Sequence, residues 1–214
     1  MITAYDKTYL GCARTAMGRM LDFAVYELKF KLDGFYDMFL VSGIADRFGK
    51  GDFSLLTGMS GVEIAYEVLD RSNISYERIK PRYPVDRSPE YWTGWALAYY
   101  QWFRNFSFAE INRAVPIKSI LSLYNPYHEM DIRQFCDKMD EMYKKASPET
   151  ALKRYRLVAG LSQSALAKEA DISVRTIQQY EQRQKNINKA QAETLVKLSK
   201  VLCCDVEDLM EKVS

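Results

Sequence analysis

The 214-residue chain has one histidine, His128, and four cysteines, none of them in a Cys-x-x-Cys pair. Cys12, Cys136, Cys203 and Cys204 therefore suggest neither a zinc set nor a redox motif, and the adjacent Cys203–Cys204 pair has poor geometry for a bridge. They are expected to be free, buried thiols. With a single histidine, Ser–His or Cys–His catalysis would depend wholly on His128, which follows a Pro126-Tyr127 turn. The sequence also lacks a GxxxxGK phosphate loop and a GxSxG elbow. Asp137, Asp140 and Glu141 lie on the charged side of an amphipathic pattern and are expected to be solvated. No catalytic activity, cofactor or metal site is expected. No run approaches 18 apolar residues, so no membrane span is expected. Met1-Ile2-Thr3-Ala4-Tyr5-Asp6 lacks the basic start and apolar block of a signal peptide, so the expected location is cytoplasmic. No internal repeat stands out.

The chain does have a soluble globular balance, 48% hydrophobic and 27% charged, and enough length for two domains. Its net charge of +2 hides an asymmetry. Residues 1–146 carry 19 basic and 19 acidic side chains, whereas 147–200 carry ten basic against five acidic. Counterion release at phosphates needs such a local excess. Asp205, Glu207, Asp208 and Glu211 then confine the positive charge.

Hydrophobic spacing predicts a mainly α chain with domains 1–146 and 147–214. Helices are expected over residues 8–32 and 35–48 with Gly34 as the break, then over 62–69 after a glycine-rich loop at 49–61. Residues 71–90, with Pro81, Pro84 and Pro89, read as irregular, with room for one hairpin over 74–83. Ser88-Pro89-Glu90 opens a helix running to about Asn105. Short helices are expected over 107–115, with Ser107 and Glu110 as a capping box, and over 117–124. Asn125-Pro126 turns the chain into a helix over 131–145. Ser147 is expected to cap the first helix of the second domain, with Pro148 in its first position.

From Glu149 to Met210 the spacing becomes specific. Leu152, Tyr155 and Leu157 make a first helix ended by Gly160. Ser162 caps a short helix over 163–169, and Asp171-Ile172-Ser173 is a turn whose serine caps a helix over 174–182. Helices over 189–202 and 206–210 close the domain. Arg156, Gly160-Leu161-Ser162-Gln163, Leu166-Ala167, Ile172-Ser173, Ile177, Tyr180-Glu181, Leu195 and Asp205-Val206-Glu207-Asp208-Leu209 closely resemble the Cro/cI-type, or XRE, family of DNA-binding domains. The resemblance implies a five-helix, lambda-repressor-like helix-turn-helix domain.

By that resemblance Gln163 meets a phosphate, and Ser173, Val174, Arg175 and Gln179 read base edges in the major groove. Thr176, Arg183, Lys185 and Asn186 fall on the sugar-phosphate backbone, and Arg156 and Glu181 form a structural ion pair. Two positions depart from the family pattern. Gln182-Arg183 stands where a glycine usually follows the glutamate, and Cys203 stands where a glycine often ends a helix. The implied partner is double-stranded operator DNA, bound by a homodimer; a helix-turn-helix that holds only proteins is the alternative.

In the first domain, Trp92, Trp95, Tyr99 and Trp102 fall at spacings of three and four on one helical stripe. Such a stripe is ordinarily core, and the alternative is a partner surface. Glu90–Trp102, Ser107-Phe108-Ala109-Glu110-Ile111 and Tyr127-His128-Glu129-Met130-Asp131 are similar to N-terminal parts of XRE-type regulators encoded beside small toxins. The resemblance implies an antitoxin and autoregulatory repressor whose partner is a cognate toxin. A ligand-sensing regulator and, more remotely, a DNA-targeted enzyme are the alternatives.

Overall fold

The computed structural model describes residues 3–82, 86–146 and 149–211, and among them the chain is helical with no strand. No helix of the described residues is long and apolar enough to cross a membrane. The chain divides into two compact units, Met1–Ala146 and Ser147–Ser214.

The first unit contains α1 (Leu10–Tyr26), α2 (Leu32–Val41), α3 (Ile44–Gly49), α4 (Phe53–Leu56), α5 (Gly61–Arg71), α6 (Pro89–Arg104), α7 (Phe108–Ala114), α8 (Ile117–Leu121), α9 (Tyr124–Tyr127) and α10 (Ile132–Ala146). Helix α1 is central, with α6 and α5 packed against it. Small residues permit the approach of α6. A Cβ on Gly94 of α6 would lie 2.5 Å from the Met17 carbonyl oxygen, and one on Gly18 would lie 2.8 Å from that of Tyr91. Around this crossing Phe23, Phe35, Tyr36, Phe39, Phe48, Phe108 and Phe135 are fully buried. Phe39, Phe48 and Phe108 meet edge to face, the geometry that ring quadrupoles favour.

Several boundaries differ from expectation, each for a local reason. The break after α1 comes at residues 27–31 instead of Gly34, which lies inside α2. Leu28 and Phe30 return amide hydrogen bonds to Phe23 and Ala24, and Lys29 takes the left-handed conformation that closes such a turn. Gly43, at φ 77°, divides the expected 35–48 helix into α2 and α3. The 49–61 loop contains α4, capped by Asp52, and a Ser60–Glu63 capping box starts α5. No hairpin forms in the described part of 74–83, residues 74–82; Tyr83 lies outside the described residues. Asp140 is buried rather than solvated, because it accepts hydrogen bonds from the Tyr100 hydroxyl (2.9 Å) and from Arg104. Only Cys136 of the four free thiols is buried, and burial raises its pKa to about 12. Cys12 and Cys203 are exposed, and Cys204 is half-buried.

The tryptophan stripe divides in two. Trp92 and Trp102 belong to the core: Trp92 meets Tyr124 and Phe135, and Trp102 Nε1 donates to the Tyr5 carbonyl (2.8 Å). Trp95 and Tyr99 are only half-buried and continue to Phe103 at intervals of four residues. The outward line is therefore 95–99–103, one helical row away from the expected stripe.

The second unit contains α11 (Ala151–Val158), α12 (Gln163–Glu169), α13 (Val174–Glu181), α14 (Ala192–Leu202) and α15 (Val206–Leu209). Leu152, Leu166, Ile177, Leu195, Leu198 and Leu209 form its core. The expected cap at Ser147 and Pro148 lies outside the described residues, and α11 is capped by Thr150, which accepts from the Lys153 amide. A 3-10 turn, Ile187–Lys189, delays α14 until Ala192, whereas residues 189–202 were expected to be helical. Cys203 ends α14 at φ 51°, adopting the conformation for which glycine is the usual choice.

Candidate nucleic-acid interface

The face formed by α12 and α13 is fixed by local chemistry. Ser162 caps α12 by accepting from the Ala165 amide (3.0 Å), and Ser173 caps α13 by accepting from the Thr176 amide (3.1 Å). Between them Asp171 takes φ 52°, and the Ile172 amide returns to the Ala167 carbonyl, so α12 stops in three residues and the chain turns into α13. Leu166, Ala167 and Ala170 on one side and Ile177 and Tyr180 on the other bury the inner faces.

Behind this face lies a buried ion pair. Arg156 of α11 donates from Nε and Nη2 to the two carboxylate oxygens of Glu181 in α13, at 2.6 and 2.9 Å. Its Nη1 donates to the Leu161 carbonyl (2.8 Å), and Gln163 Nε2 donates to Glu181 (2.8 Å). Burial alone would raise the Glu181 pKa, but hydrogen bonds from Arg156 and Gln163, with the guanidinium charge, outweigh it and hold the carboxyl below its usual range. The Glu181 hydrogen bond in turn raises Arg156. One carboxylate thus joins three helices.

The sequence-selected residues occupy different settings. Arg175 is exposed, Gln179 is half-buried, and Val174 is half-buried against the core. The Ser173 and Thr176 hydroxyls hydrogen-bond one another (2.8 Å). Gln163 is oriented by Glu181 and also accepts from Gln178 Nε2 (3.5 Å). Gln178 escaped selection from the sequence although it shares a helical face with Glu181; the available signal was its three-residue spacing from that glutamate. Arg183 stands at φ 54° and reaches the Glu149 carbonyl and the Glu211 carboxylate. Lys185 is exposed, and Asn186 caps the 3-10 turn through the Asn188 amide. Of Trp92, Trp95, Tyr99 and Trp102 in the first unit, Trp92 and Trp102 are buried, and Trp95 and Tyr99 are half-buried. Sequence reading also missed Asn188 and Glu211. Glu211 accepts from the Ala151 amide (2.7 Å) and donates its own amide to Asn188 (2.8 Å), which ties the end of this unit to its beginning.

Residues 152–209 match a family model described as helix-turn-helix. The match covers α11 to α15 and supports an XRE-type regulator of transcription that binds double-stranded DNA. No curated protein and no solved structure matches the chain. Within the helix-turn-helix domain α13 occupies the recognition position, and the α12–α13 turn supplies the angle that presents it.

Proposed function

We propose that the protein is a sequence-specific repressor whose α13 enters the major groove of an operator. The Glu181 carboxylate carries this reading: in a site nearly closed to water it holds Arg156 and Gln163 together, so the face bearing Arg175 and Gln179 is set before DNA arrives. Arg175 has the fork for guanine O6 and N7, and Gln179 the amide for adenine. Ser173 and Val174 flank them at the start of the helix. Gln163, Thr176, Arg183, Lys185 and Asn186 meet the sugar-phosphate backbone. One recognition helix reads a half-site, so the binding species is a homodimer on a two-fold operator. The test is a randomised operator library. Arg175→Ala is expected to relax base preference and cost about 1–3 kcal/mol, whereas Gln163→Ala weakens all sequences alike. Identical losses for the two variants would refute the assignment of roles.

We infer further that the first unit holds a protein partner, a cognate toxin, making the chain its antitoxin and autoregulator. The half-buried Trp95–Tyr99–Phe103 line supports this reading, since aromatic anchors dominate interface energies. The equal numbers of acidic and basic side chains in residues 1–146 disfavour a second nucleic-acid surface. Co-expression with the product of the neighbouring gene should yield a complex and relieve its toxicity, and Trp95→Ala should weaken that complex by at least about 2 kcal/mol in a folded protein. Neither capture nor relief would end the antitoxin reading.

A further inference from the structure

The first unit has an open cleft of about 470 Å³, the size of an ordinary small-molecule site, walled by Tyr91, Trp92, Trp95, Tyr124 and His128. The walls are held in place from behind. Trp92 packs edge to face on Tyr124 (5.7 Å between centroids), and His128 stacks on Tyr124 (4.1 Å) while donating from Nδ1 to its carbonyl (2.9 Å). The Arg14 guanidinium lies 3.2 Å from the centroid of Trp95.

Among the described residues that line the cleft, the formally charged side chain is Arg87. No aspartate or glutamate lines it, and Arg87 does, with its guanidinium carbon 4.1 Å from the Tyr91 ring centroid. Among the described residues Arg87 has no ion-pair partner. Arg14, beside the Trp95 wall, buries Nε and Nη2 without an acceptor among the described residues, and burial lowers its pKa to about 10. Arg87 is thus the guanidinium that lines the aromatic cleft, with Arg14 behind its Trp95 wall, while the Glu129 carboxylate stands 3.5 Å from His128 Nε2. The neighbouring cleft of about 690 Å³ differs, because Asp22 and Asp86 line it beside Arg19 and Arg87.

We propose that the 470 Å³ cleft binds a small planar aromatic carboxylate, its ring between the aromatic walls and its carboxylate on Arg87. Rings give the ligand its stacking surface. The guanidinium fork suits a carboxylate bidentately, which selects acids over amides of the same shape. The site does not depend on the operator contacts, and it shares the Trp95 wall with the surface proposed for a toxin.

Calorimetry on the full chain tests this with 2-naphthoate, against 2-naphthamide, which keeps the rings without the charge, and cyclohexanecarboxylate, which keeps the charge without the aromatic face. Naphthoate should bind one to one, with both controls at least tenfold weaker. Arg87→Gln, at an exposed position and checked by its melting curve, should bring naphthoate down to the level of naphthamide and leave naphthamide unchanged. Absence of naphthoate binding, equal binding of cyclohexanecarboxylate, or an unaltered naphthoate affinity in folded Arg87→Gln would each overturn the proposal.

Discussion

The Glu181 carboxylate accepts three hydrogen bonds, two from Arg156 and one from Gln163, while its side chain is 3% exposed. Removing Arg156 leaves that charge uncompensated, so Arg156→Met should destabilise the second unit by about 3–5 kcal/mol in denaturant titrations. Arg156→Met combined with Glu181→Leu should recover much of the loss, because two apolar groups need no counter-charge. The pH dependence has a definite sign. Glu181 has a folded pKa below its unfolded one, so its contribution is fully present above the unfolded value, about 4.3, and is lost as pH falls through the folded value. The denaturation midpoint of this unit should therefore drop on acidification through that window, and Glu181→Gln should flatten the drop. Cys203 presents the opposite case, a residue whose backbone favours another amino acid. At φ 51°, Cys203→Gly should stabilise the unit by about 0.5–1 kcal/mol, read as a higher melting midpoint; a lower one would show that the thiol makes a contact worth more than the relieved backbone.

At the level of elements, the crossing of α1 and α6 depends on the absence of a side chain. Gly94→Ala would place a methyl 2.5 Å from a backbone oxygen and 2.9 Å from the Gly18 Cα, neither of which can swing aside. It should cost about 1–3 kcal/mol or more, whereas Gly34→Ala, whose Cβ would meet nothing within 4 Å, should be tolerated. A full unfolding titration of both variants separates the two cases. These elements also show what a sequence can reveal. Ser88-Pro89, Ser107–Glu110, Ser162 and Ser173 are local signals, caps that satisfy amides a few residues away, and the helices they start are where such signals put them. The ends were less legible. Lys29 and Cys203 adopt left-handed turns without being glycine, closed by amide returns from Phe30 to Ala24 and from Cys204 to Ser199, so no glycine marks either end in the sequence. The aromatic stripe was misread for a related reason: periodicity shows that rings share a face, but only the packing of Phe135 and Tyr124 decides that Trp92 points inward and Trp95 does not. The Gln163–Glu181 bond likewise joins residues 18 apart, beyond any local pattern.

On the scale of the whole molecule, positive charge is concentrated in the smaller unit, where 147–200 has ten basic and five acidic side chains while 1–146 is balanced. Salt dependence reports phosphate contacts directly, since each neutralised phosphate contributes about −0.9 to the slope of log K against log salt. The cations assigned to the backbone are the exposed Lys185 and Arg183, which would leave its Glu211 partner for a phosphate, two per chain. A proposed dimer would then give a slope of roughly −4. Lys185→Gln should reduce the slope by about 2 in the dimer and weaken every sequence equally, because a lysine on a phosphate carries no base information. Substituting Lys118, an exposed lysine of the balanced unit already paired with Asp33, should leave the slope unchanged. If Lys118→Gln lowered the slope as much as Lys185→Gln, the phosphate track would extend over the first unit, and the division of labour between the two units would fail.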